Sequence, residues 1–208
     1  MPYAEGIREI AYFDCRGGGQ VVVDGTTAYV GHTTGPEATT IIDVEDPANP
    51  RQLAQIECNH EGVHAHKVRV QDGLMLTNYE SKAYAGTPDE GFRGGLNITD
   101  VSDPAHPKHI HFWPCDKSGV HRFTYDGRYA YISPEFDDYI GNIVVILDLK
   151  DPTKPEEVGR WHMPGQWIGG GEEPTWEADA HRCHHPIRMG NRLYTSYWHG
   201  GFVILDIE

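Results

Sequence analysis

The chain has 208 residues, 38% of them hydrophobic, with 17 Lys and Arg against 31 Asp and Glu and a formal charge of −14. That length supports one sizeable core, and no run approaches the roughly eighteen apolar residues that a membrane-spanning helix requires. A charge of this sign, with no local basic cluster, argues against nucleic acid and membrane surfaces as partners. The first ten residues carry Glu5, Arg8 and Glu9 and lack the basic start and apolar run of a secretory signal, so the expected compartment is cytoplasmic. Cysteines at 15, 58, 115 and 183 form no CxxC pair and are too sparse for a disulfide scaffold.

In chain order the sequence repeats one unit. Arg8–Cys15 reads as an outer strand. The Asp24-Gly25 turn, the strand Ala28–Val30 and the strand Thr40–Val44 follow, and Asp46-Pro47-Ala48-Asn49-Pro50 closes the unit. The second unit repeats this with Gln52–Cys58, Asp72-Gly73, Leu74–Leu76, Leu96–Val101 and Asp103-Pro104-Ala105-His106-Pro107. The third has His109–Cys115, Asp126-Gly127, Tyr129–Ile132, Val144–Leu149 and Asp151-Pro152-Thr153-Lys154-Pro155. The fourth has Val158–Met163, Gly190-Asn191, Leu193–Thr195 and Phe202–Ile207. Asp-Gly and Gly-Asn accept the positive φ of tight hairpins, and the β-branched runs around them favour strands. No segment has helical periodicity.

Antiparallel units recurring about every fifty residues predict an all-β fold, a β-propeller of four-stranded blades. The whole chain reads as one domain, 1–208, with units of about 7–50, 51–107, 108–155 and 156–208. The phase of the repeat predicts that Arg8–Cys15 pairs antiparallel with Phe202–Asp206. If the ring is incomplete, the partner strand belongs to another copy and the protein is a homo-oligomer.

The Ile41-Ile42-Asp43-Val44 element and the Asp-Pro loop after it resemble the LVIVD-repeat β-propeller proteins, and the resemblance covers essentially the whole chain. Members of that family are usually longer, which implies either a compact four-bladed ring or part of a larger one. More distantly, a His-bearing propeller is similar to selenium-binding proteins and methanethiol oxidases, whose propellers carry copper.

The residues themselves place chemistry at one end of the units. His66, His121 and His185 recur at the start of the inner strand. His64 lies two residues before His66, and His181 and Cys183 alternate with His185, so strand alternation puts them on shared faces, with Cys183 either a thiolate ligand or turned into the core of the next strand. The set His64, His66, His121, His181, His184 and His185 predicts a divalent metal site for Cu, Zn or Fe with an open position. Glu80 and Glu135 occupy matching positions after the next strand and are the candidate catalytic carboxylates, as general base or as partner of a histidine. The long loop of the fourth unit, with Gly169-Gly170-Gly171 and then Glu172, Glu173, Trp176, Glu177 and Asp179 before His181, reads either as a lid or as a solvated insertion. The expected function is metal-dependent oxidation or hydrolysis of a small molecule. The alternative is a non-enzymatic propeller that holds a ligand or protein on an aromatic rim including Trp167, Trp176 and Trp198.

Overall fold

The protein is described by a computed structural model covering residues 5–58, 60–83, 87–176 and 181–208. Four antiparallel sheets follow one another along the chain. Sheet 1 contains β1 (Gly18–Asp24), β2 (Thr27–His32), β3 (Glu37–Asp43) and β4 (Arg51–Glu57). Sheet 2 contains β5 (Val63–His64), β6 (Val68–Gln71), β7 (Leu74–Ser81), β8 (Gly94–Asp100) and β9 (Lys108–Cys115), with β5 and β6 both paired to β7. Sheet 3 contains β10 (Val120–Tyr125), β11 (Tyr129–Pro134), β12 (Val144–Asp148) and β13 (Glu156–Trp161). Sheet 4 has only β14 (Arg182–Met189), β15 (Arg192–Trp198) and β16 (Gly201–Asp206). The sole helical turn among the described residues is a 3-10 turn at Ile168–Gly170.

The turn chemistry explains these strands. Asp72 and Gly73 take positive φ values of 53° and 75° between β6 and β7, and Gly25, Gly127 and Gly190 are also left-handed. Each Asp-Pro loop is closed by its aspartate. The Asp46, Asp103 and Asp151 carboxylates accept the backbone N–H two residues on, at 2.9, 3.1 and 3.0 Å. The aspartates ending β3, β8 and β12 do the same at 2.9, 2.9 and 2.8 Å. These contacts hold all six side chains next to backbone donors, and they terminate strands because the side chain competes with the ladder.

Neighbouring sheets pack face to face. Tyr29 and Ile41 meet Val68, Met75 and Val101 between sheets 1 and 2. Leu76, Leu96 and Ile98 meet Phe123, Ile132, Val145 and Leu147 between sheets 2 and 3. Tyr131 and Val144 meet Cys183, Leu193 and Tyr197 between sheets 3 and 4. Full burial of side chains this size contributes about 2 kcal/mol each. The inner strands β1, β6, β10 and β14 are consecutive neighbours, so the four sheets follow one another as an arc.

One expectation fails here. Arg8–Cys15 forms no strand and pairs with nothing in the sheets, so β16 keeps an open edge among the described residues. Ile7, Ile10 and Tyr12 are left exposed. Alternation of apolar residues gives a segment strand capacity, but a strand forms only where a ladder partner is in reach.

Candidate active site at the inner rim

Every inner strand is interrupted at the same place. The register shifts between Gly18 and Val21 in β1, between Val120 and Phe123 in β10 and between Cys183 and His185 in β14. In sheet 2 the strand breaks altogether between β5 and β6. A bulge re-aims side chains out of the two-residue alternation. The interrupted positions hold His66 and Lys67, His121 and Arg122, and His184. Hydrogen bonds fix these bulges from behind. Asn78 receives the Lys67 N–H at 3.0 Å and donates to the Val120 carbonyl at 2.9 Å, stapling sheet 2 to sheet 3. Ser133 accepts from the Arg122 N–H at 2.8 Å and donates to the Arg122 carbonyl at 2.9 Å.

Glu80, only 3% exposed, lies at the centre of the rim. Lys67 Nζ donates to Glu80 Oε2 at 3.1 Å, and His121 Nδ1 lies 2.5 Å from Glu80 Oε1. Burial pushes the Glu80 carboxyl up, but the hydrogen bond from His121 and the charges of His121 and Lys67 outweigh it and hold it below its ordinary range. Burial takes Lys67 down to about 8 against the pull of Glu80.

The predicted histidines divide. His64 and His66 rings are 3.9 Å apart, and His121 and His184 rings 5.1 Å apart. His64 Nδ1 is held by the Thr33 carbonyl at 2.7 Å. Burial, then the charge of Lys67, takes His66 down to about 3. Burial lowers His184 to about 4, helped by His121 and Arg122, and lowers His185 to about 4, helped by Arg122 and Arg69. His181 stands apart, stacked 4.3 Å from the Trp176 ring, and the Cys183 side chain is buried in the seam between sheets 3 and 4. There its thiol is pushed well up by burial, which removes it as a thiolate ligand. Among the described residues no three His, Cys, Asp or Glu come together as a group able to hold a metal ion.

Glu135 is buried as well, but it binds Ser118 through its backbone N–H at 3.3 Å and through its hydroxyl, with Arg182 at 3.9 Å. The described part of the long loop after β13 is pinned by hydrogen bonds. Gln166 donates to the Ile140 and His181 carbonyls at 2.8 Å each, and Glu172 accepts from Gly165 N at 2.8 Å. Glu177 and Asp179 lie outside the described residues. Clefts of about 480 and 570 Å³ open between the outer strands of sheets 1 and 2 and of sheets 3 and 4, and neither is lined by Glu80 or His121. Sequence reasoning missed Lys67, Arg69 and Arg122. For Lys67 and Arg122 the signal was a basic residue directly after the rim histidine in two successive units.

Each interrupted strand thus sits in a repeated sheet whose closing strand and Asp-Pro loop carry a recurrent sequence. Residues 91–111 and 125–162 match the LVIVD repeat. The first matched stretch spans β8 and the start of β9, and the second runs from the end of β10 through β13. The LVIVD repeats therefore supply the scaffold behind the rim, while Glu80 and His121 fall outside both matched stretches. In fold the chain is similar to the computationally designed Ika4 protein, with a TM-score of 0.64 over 97% of this chain and 99% of that one at 7% identity. It is also similar to the computationally designed Ika8 protein, with a TM-score of 0.59 over 91% of this chain and 46% of that one, again at 7% identity. At that identity the likeness is one of fold alone. No curated protein matches the sequence.

Proposed function

We propose that the four sheets are blades of a β-propeller and that their inner rim is the active site of a small-molecule enzyme. His121, oriented by Glu80, is its general base. One observation carries this reading: Lys67, Glu80 and His121, drawn from two sheets, meet around a carboxylate withdrawn from water. A buried ion pair gives little net stability compared with well-packed apolar residues, so stability alone is a weak reason for it. Its use is positional. With Nδ1–H given to Glu80, the lone pair of His121 is on Nε2, on a ring that is still 20% exposed. Nε2 takes a proton from a bound water or substrate, and the ionised Glu80 stabilises the imidazolium that results. Lys67 keeps Glu80 ionised. A proton taken from water makes the reaction a hydrolysis.

A second reading, a Cu, Zn or Fe centre on the same rim, is favoured by a separate observation. His64 and His121 commit Nδ1 to a carbonyl and a carboxylate, the outer contacts that ligating imidazoles carry. The described residues nevertheless offer no three-donor group. The test is turnover of nitrophenyl esters and phosphate esters by untagged protein whose metal content has been measured. Turnover in metal-free protein is expected to fall by about 100-fold or more in His121→Ala and to be unchanged in His109→Ala, on outer strand β9. Turnover that requires added metal supports the second reading. Equal turnover in His121→Ala overturns the first, and absence of turnover throughout favours a ligand-holding propeller.

A further inference from the structure

We infer that the rim binds a small anion, a carboxylate or phosphate, between Arg122, Arg69 and Lys67. The binding stands on its own observations, while the anion's being the substrate rests on the active-site reading above. Five arginines elsewhere in this acidic chain each pair with a carboxylate: Arg51 with Asp43, Arg128 with Asp148, Arg160 with Glu157, Arg188 with Asp126 and Arg192 with Asp206, at 2.6–3.0 Å. The rim arginines do not. Arg122 Nε is buried with no hydrogen-bond partner, and among the described residues no carboxylate pairs with the guanidinium. Arg69 Nη1 donates only to the neutral Gln20 side chain at 3.3 Å and to the Val68 carbonyl at 2.8 Å. Glu80, the one carboxylate bonded to this group, is already taken by Lys67 and His121. His66 Nδ1 is likewise buried without a partner.

Arg122 lies within electrostatic reach of both Lys67 and Arg69, so three cations share the rim with one carboxylate, in a chain whose formal charge is −14. An unmatched guanidinium in a desolvated site is costly, and its fork of donors matches two oxygens of a carboxylate or phosphate. The flanking imidazoles are neutral near pH 7, since His66, His184 and His185 are all depressed, partly by these same cations. They can donate to or accept from an anion without adding charge.

The experiment is calorimetric titration of the full chain with inorganic phosphate, and separately with malonate, at low ionic strength. One-to-one binding is expected, weakened at least tenfold in Arg122→Met and partly in Arg122→Lys, which keeps the charge and loses the fork. Glu80→Gln should tighten it, because the nearest negative charge is gone. Circular dichroism checks the fold of each variant, and Arg122→Lys serves if the methionine variant does not fold. No binding of either anion by the wild type, undiminished binding in the Arg122 variants, or weaker binding in Glu80→Gln overturns the inference. Because binding is read without turnover, an anion site in a protein with no activity sinks only the catalytic reading. Turnover without anion binding sinks only this one.

A second inference rests on different residues. Sheet 4 has three strands, while sheets 1 to 3 each end in an outer strand that sheet 4 lacks. Arg8–Cys15 has strand character and no strand partner among the described residues. The outward faces at both ends of the arc are apolar and bare: Val21 and Val23 on β1, Ile187 and Met189 on β14, Phe202 and Ile204 on β16, with Met189 71% and Phe202 62% exposed. Equivalent faces are buried in all three internal seams. We propose that a second copy covers them, with Arg8–Cys15 of each copy pairing antiparallel with β16 of the other. Two such arcs satisfy both ends at once under two-fold symmetry, and the arc superposes on about half of the Ika8 chain, 46%. Light scattering coupled to size exclusion is expected to give a dimer. Ala11→Pro should give a monomer that keeps a β-rich circular dichroism spectrum, short only of the exchanged strand. A wild-type monomer at high micromolar concentration, or a dimer that survives Ala11→Pro, overturns it.

Discussion

Glu80 and Glu135 hold matching places in successive sheets, Glu80 near the end of β7 and Glu135 directly after β11, both withdrawn from water, yet they bind different neighbours. Glu135 closes its own neighbourhood by taking the hydroxyl and N–H of Ser118 in the loop before β10. Glu80 reaches Lys67 within its sheet and His121 on the next. What separates them is the neighbour, a serine from the loop before β10 beside one and two titratable side chains from the strand interruptions beside the other. Burial of a carboxylate therefore does not mark a reactive group; the chemistry of what it faces does.

The largest effects should fall on the Glu80 side. Glu80→Gln is expected to lower any turnover by about 100-fold or more, because His121 loses the acceptor that fixes its tautomer, whereas Glu135→Gln should leave kcat/KM within about twofold. Equal losses in the two variants would erase the distinction. Next, Lys67→Met leaves Glu80 buried with one partner fewer, at a cost of about 3–5 kcal/mol in urea unfolding. The double variant Lys67→Met, Glu80→Leu should regain most of that stability while turnover stays lost, which separates the electrostatic role from the structural one.

Much of this fold was legible in the sequence because its signals are local. Asp72-Gly73 and Asp103-Pro104 specify their turns through φ preference and side-chain hydrogen bonds between residues two apart, and neither depends on distant partners. Rim residues were legible only in part. Glu80 and His121 were singled out through repeat position, but alternation left Cys183 open between ligand and core, and only the register shift before His185 decides that it turns into the core. Lys67 was not singled out, since nothing local reveals that the strand is interrupted there and the side chain buried. Arg8–Cys15 shows the converse: its pattern is that of a strand, and pairing depends on a partner that the pattern cannot supply.

A smaller effect concerns pH. Unfolded imidazoles titrate near 6.5, and His66, His184 and His185 in the folded chain only near 3 to 4. The unfolded chain therefore binds protons in this interval that the folded one refuses, so stability should fall as the pH drops from about 6.5 toward 4. Thermal melts across that range check this. His66→Gln and His184→Gln should flatten the slope, and an equally steep profile in both would move the acid sensitivity away from the rim. Least of all, Ser118→Ala should cost about 1–3 kcal/mol of stability, by leaving Glu135 short of a donor, with no change in turnover.

Each sheet is built from one continuous stretch, 18–57, 63–115, 120–161 and 182–206, with no strand borrowed from elsewhere among the described residues. Ordering any one of them closes only short loops, and the coupling between them runs through adjacent faces, as in a linear array. Folding can begin in any sheet and spread sideways, and opening runs the same route backwards from the ends. Sheets 2 and 3 are packed on both sides, so their amides should exchange with solvent most slowly, and those of sheets 1 and 4 sooner. Lys67, Glu80 and His121 belong to that slow pair, so fraying at either end of the arc would leave their geometry in place.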